Sequence, residues 1–131
     1  HEALDGPGVV RLPSPDLSVV NWVMTDPRAR DLAALNRLNE AVYRQLSPGD
    51  VEPPYFITRT RLTSPAADGI VAPLLGALGV DESAWQSEGL VVLRAVVMTP
   101  FLVDPPGTAD HCVGLVQALR DAVQAAAAQL N

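Results

Sequence analysis

Residues 90–101 read LVVLRAVVMTPF. Every residue from 90 to 98 is apolar except Arg94, and Thr99-Pro100 ends the run. Apolar side chains on both alternating faces describe a strand covered on both sides, because a strand with one wet face alternates with polar residues. Arg94 stands in the middle of it. A guanidinium keeps its charge, and burying one without an anionic partner is costly. The residues alone leave two readings open. Either a carboxylate of the protein pairs with Arg94, or the arginine is kept for the anion of a ligand or an interface.

Working outward, residues 9–12 are a short β-prone segment closed by Pro13 and Pro15. Residues 17–24, LSVVNWVM, make a better strand, with Val19, Val20, Trp22 and Val23 as β-formers. Asp26-Pro27 reads as a helix cap followed by proline at the first helical position. Leu32, Leu35, Leu38, Val42 and Leu46 then predict a helix over about 27–46 with one apolar stripe. Arg28, Arg30, Arg37 and Arg44 fall mostly off that stripe, and Ser47-Pro48-Gly49 stops the helix. After Pro53-Pro54, residues 55–62 (YFITRTRL) read as a third strand, apolar at its start and polar at its end, as for a strand leaving a core.

Residues 63–89 connect this strand to the 90–98 strand. They carry a short helix over 70–78, ended by Gly79, and a turn over 81–86. Beyond the loop Asp104-Pro105-Pro106-Gly107, Thr108 caps a last helix with Val113, Val116, Leu119, Val123 and Leu130 on or near one face. Its alanines reflect helix propensity. The order predicts one α+β domain over 1–131: a small, mainly antiparallel sheet of about four strands with two long helices on one face.

Composition bounds the partners. The 48% hydrophobic content is that of a folded chain, and 131 residues suffice for one modest core. A net charge of −6 argues against a nucleic-acid backbone or an anionic membrane surface as partner. No apolar run reaches the roughly 18 residues that span a bilayer, and no basic segment precedes an apolar one as in a secretory signal. The lone Cys112 fits a reducing, cytoplasmic setting. The start, HEALDG, suggests a segment excised from something longer. All nine basic residues are arginine. Compositional bias accounts for that, but the consequence stands: chemistry that needs a lysine amine cannot occur on this chain alone.

Few other constellations carry chemistry. His1 and His111 are far apart and Cys112 has no second cysteine, so a metal site is not expected. His111 and Cys112 are neighbours about 100° apart on a helix, which cannot make a nucleophile–base pair. Asp26 reads as a cap, Asp31 and Glu40 as a solvated helix face, and Asp81 and Glu82 as a loop or helix start. Trp22 and Trp85 read as core or rim aromatics. Tyr55 and Phe56 either pack in the core or line a pocket mouth. Arg59 and Arg61 read as a solvated strand end, with a salt bridge across a domain interface as the alternative.

The ordered set VVRLPSPDLSVVNWVM, LNRLNEAVYRQLSP, PPYFITRTRL, LVVLRAVVMTP and an Ala-rich terminal helix resembles one known unit. It is similar to the C-terminal small domain of group II pyridoxal-phosphate-dependent amino-acid decarboxylases, enzymes of fold type I. The most specific piece is Val92-Leu93-Arg94 through Met98-Thr99-Pro100, where Thr99 replaces the usual asparagine. The length of the 64–88 segment resembles the larger, tyrosine-decarboxylase-like members.

The resemblance implies a large domain, absent from this chain, that holds pyridoxal phosphate through a lysine. No cofactor is then bound covalently here. It further implies that the small domain closes over an amino-acid substrate, that Arg94 meets the substrate carboxylate with Tyr55 and Phe56 in its surroundings, and that the intact enzyme is a homodimer. Two other readings stay open: a free-standing α+β ligand-binding or dimerisation module without activity, and a separate subunit completing a large domain on another chain.

Overall fold

In the computed structural model, which describes residues 6–13, 19–47, 57–96 and 111–130, four strands form one antiparallel sheet. They are β1 (Val9–Arg11), β2 (Val19–Met24), β3 (Thr58–Leu62) and β4 (Leu90–Val96), in the order β1-β2-β4-β3. The strand with the longest apolar run is thus interior. β2 pairs with it from Val19–Val96 to Trp22–Leu93, and β3 from Thr58–Arg94 to Leu62–Leu90. Residues Leu90, Val91, Val92 and Leu93 are each no more than 1% exposed, as cover on both faces requires.

The two faces carry separate cores. Val20, Trp22, Met24 and Leu93 pack against α1 (Leu32–Gln45) and α5 (His111–Ala127) through Leu38, Val42, Leu119 and Val123. Val23, Leu90 and Val92 pack on the other face against Val71, Leu78 and Trp85. Those three come from the short helices α2 (Asp68–Val71), α3 (Leu75–Leu78) and α4 (Glu82–Glu88). α5 and the C-terminal part of α1 therefore lie on one face, as the pattern predicts, and the 63–89 connection supplies most of the second layer.

Two boundaries differ from expectation. The long helix does not begin at Pro27: Asp31 is the cap, accepting from the Ala34 N–H at 2.7 Å. Asp26 instead closes a turn, accepting from the Arg28 N–H at 2.9 Å. Both aspartates can cap, but Asp31 immediately precedes the first stripe residue, Leu32, while Pro27, Arg28 and Arg30 are exposed and have no apolar face to bury. Asp31 is accordingly a cap and not merely part of a solvated face. The helix expected over 70–78 is broken into α2, a 3-10 turn at Ala72–Leu74 and α3, with Pro73 in the turn, where its missing N–H does least harm. Gly79 ends the series in the left-handed conformation.

One end of the sheet is completed by side chains. The β2–β4 ladder stops at Trp22–Leu93. Beyond it, Asn39 of α1 accepts from the Met24 N–H at 2.9 Å and donates to the Met24 carbonyl at 3.0 Å. Asn36 accepts from the Val91 N–H at 2.8 Å and donates to the Gly89 carbonyl at 3.0 Å. Each carboxamide stands where a neighbouring strand's peptide would, satisfying backbone groups that burial would otherwise leave unpaired. This places α1 across the open end of the sheet: Leu32 and Leu35 join one core, while Leu38, Val42 and Leu46 join the other.

Candidate functional site: an arginine on an interior strand

Strand alternation puts Leu90, Val92 and Arg94 on one face of β4. The register places Asn21 of β2 and Thr58 of β3 directly beside Arg94, one on either side. Directly opposed residues have Cβ atoms about 4.5–5.5 Å apart, so the three side chains form one polar row. The row before it on this face is apolar where it meets the short helices, through Val23 and Val92. At the Arg94 row the cover ends: Asn21 and Arg94 are half-buried and Thr58 is exposed.

The arginine's surroundings are unusual for a charge. Its Nε is buried and has no hydrogen-bond partner. Among the described residues no carboxylate lies within ion-pair distance of it, and no described position on this face of the sheet is acidic. The internal salt bridge that the sequence left open thus has no partner among the described residues. A planar guanidinium fork can bind a carboxylate through two parallel charge-assisted hydrogen bonds, and the Nε of this one is an unused donor among the described residues. Tyr55 and Phe56, the companions proposed for it, lie outside the described residues, as do the side chains of His111 and Cys112.

The two arginines of β3 are occupied. Arg59 Nε lies 2.9 Å from Glu40 Oε2, with its guanidinium 4.7 Å from the Tyr43 ring centroid. Arg61 Nη1 donates to the Glu88 carbonyl at 2.9 Å. The strand end is solvated as expected, both arginines being exposed, and these surface contacts tie it to α1 and to the end of α4, with Glu40 a partner. Both tryptophans are buried, as core aromatics should be; Trp85 Nε1 donates to Asp68 Oδ1 at 2.9 Å, whereas Trp22 Nε1 has no partner among the described residues. Arg28 also binds Asp26 side chain to side chain, at 2.8 and 3.0 Å, and this hydrogen bonding holds the Asp26 carboxyl below its usual range.

A cleft of about 490 Å³ lies elsewhere, lined by Arg37, Glu40, Arg44, Arg61, Glu88 and Leu130 among others. It does not include Arg94, and its charges are mixed. Among the described residues no group of three metal-ligating side chains occurs, and no helix is long and apolar enough to cross a membrane. Sequence reasoning passed over Asn21, Asn36 and Asn39. A signal existed for the helical pair: two asparagines within the apolar stripe that runs from Leu32 to Leu46.

Fold and site together define an α+β domain layered on both faces of an antiparallel sheet, with a cation on an interior strand that has no partner among the described residues. The chain belongs to the family of tyrosine decarboxylase C-terminal domains, whose model matches residues 7–123 and so takes in all four strands. It is 36% identical over 100 residues to the L-tyrosine decarboxylase of Enterococcus faecium, 35% over 97 residues to that of Enterococcus faecalis, and 34% over 93 residues to that of Levilactobacillus brevis. These matches cover 73%, 71% and 68% of this chain. They cover 16%, 16% and 15% of the relatives, so the chain spans about a sixth of their length.

Proposed function

We propose that this chain is one domain, the substrate-closing C-terminal domain of a pyridoxal-phosphate-dependent amino-acid decarboxylase, with tyrosine or a similar aromatic amino acid as substrate. The observation that carries the reading is Arg94: a guanidinium on an interior strand, half-buried and without a partner among the described residues. The relatives' names support the substrate class.

The cofactor does not fit this chain's own residues. There is no lysine to hold it covalently, and the Arg94 face has no carboxylate at its described positions to meet a pyridine nitrogen. Both groups belong to a large domain on other sequence. What this domain contributes is binding and orientation. Arg94 takes the substrate carboxylate in its fork, and that fixes the direction of the bond to be broken relative to the rest of the site. Closing the sheet face over the substrate excludes water, which strengthens the ion pair. The intact enzyme is a homodimer on this reading. The single cysteine fits a cytoplasmic setting.

The test uses the intact enzyme. Arg94→Ala should lower kcat/KM at least about tenfold, the loss of one charged hydrogen-bonded contact, while leaving cofactor absorbance intact. Inhibition by the amine product, which lacks the carboxylate, should not change. Unchanged kinetics would make Arg94 a structural residue. The isolated 131-residue chain should release no carbon dioxide from any amino acid, and release would overturn the reading.

A further inference from the structure

We propose that Asn21 is a second substrate-positioning residue, whose carboxamide N–H donates to the same carboxylate that Arg94 binds. This rests on the reading of Arg94 given above. Asn21 stands directly opposite Arg94, on the same face, at the row where the cover of the short helices ends. Its side chain is half-buried and makes no hydrogen bond among the described residues. Asn36 and Asn39, the other two described asparagines, each bind both a backbone N–H and a carbonyl.

The position argues for a ligand. Asparagine is a poor strand former, and β2 is otherwise Val-Val, Trp-Val-Met. On this face it has Val19 on one side and Val23 on the other. β2 is an interior strand, with β1 and β4 as neighbours, so a polar residue there does not serve to protect a sheet edge. A free amide beside a free guanidinium supplies a further donor to an anion, and a neutral one. An aspartate in its place would pair with Arg94 and quench it. The chemistry of the row thus suits a carboxylate-bearing ligand and selects against an internal ion pair.

Two substitutions in the intact enzyme test this. Asn21→Asp is isosteric; it should raise KM for the amino acid at least about tenfold by neutralising Arg94. Combined with Arg94→Ala it should be worse than Arg94→Ala alone, because it removes the second donor and sets a carboxylate against that of the substrate. Asn21→Val gives β2 a better strand former, so the unfolding temperature should hold or rise, yet KM should still increase several-fold. Inhibition by the amine product should be unchanged in both. If Arg94→Ala raises KM while both Asn21 variants leave it as in the wild type, the inference fails and the reading of Arg94 survives. If Arg94→Ala has no effect, that reading fails first. A double variant no worse than Arg94→Ala would also overturn the inference, as would a KM change in Asn21→Val that tracks a fall in unfolding temperature.

Discussion

Replacing Asn39 should cost this domain a large part of its stability. Asn39 is fully buried and holds both backbone groups of Met24, as well as donating to the Leu35 carbonyl at 2.9 Å. In Asn39→Ala the Met24 N–H and carbonyl lose their partner at a place where β4 has already left the ladder. Each buried backbone group left unpaired costs about 1–3 kcal/mol, so the two together cost about 2–6 kcal/mol. Domains of this size have a total of about 5–15 kcal/mol. Asn39→Asp sharpens the test. Its carboxylate would accept from Met24 N–H but face two carbonyls with nothing to donate, so folding would raise its pKa. A raised carboxyl pKa means that the folded state binds the proton more tightly, and stability then falls as pH rises from the unfolded value of about 3.9 through the folded one. The penalty of Asn39→Asp relative to wild type should therefore be smallest in acid and grow toward neutrality. Equilibrium urea unfolding followed by the fluorescence of the buried Trp22 and Trp85 reads both effects. A loss below about 1 kcal/mol in Asn39→Ala, or a pH-independent penalty in Asn39→Asp, would refute the claim that this amide completes the sheet.

Three further outcomes follow from the same structure. Gly89 has φ +71°, and a Cβ there would lie 2.6 Å from the Leu62 carbonyl oxygen, so Gly89→Ala should destabilise by about 1–3 kcal/mol in a urea titration. Asp26→Asn removes a carboxylate whose pKa folding lowers from 3.8 through the Arg28 hydrogen bond. Its stabilising effect is present above that value and is lost as pH falls through the depressed one, so the unfolding-temperature gap between variant and wild type should close in acid. Trp85→Phe removes the hydrogen bond to Asp68 and leaves a cavity where the second indole ring packed, and should cost about 2–4 kcal/mol in the same titration.

The strands and long helices were legible because each has a strong local pattern. The central strand announced itself by apolar residues on both faces, and α1 by a stripe at spacings of three and four. The start of α1 was misplaced because Asp26 and Asp31 are equally able to cap, and only the burial of Leu32 separates them. The role of residues 63–89 was not legible either. Short helices broken by Pro73 carry little periodic signal, and what makes them a layer is the second face of β4, to which they are distant in sequence.

The candidate site divides in the same way. Arg94 was visible in the sequence as a charge in an apolar strand. Its lack of a partner among the described residues was not, since any of the chain's carboxylates could have met it. Arg59 shows how open that question was: it is solvated, as it read, yet it also binds Glu40 and stacks on Tyr43, partners the sequence did not single out. Asn21 is 73 residues from Arg94 in the chain, and nothing local connects them. By itself the sequence determined the elements, their order and the one charge that burial makes conspicuous, because propensity, periodicity and desolvation act on neighbouring residues. Only the tertiary structure decided which strands adjoin, where the cover on the sheet ends, and which polar groups meet there, because register and layer packing bring together residues that no local rule relates.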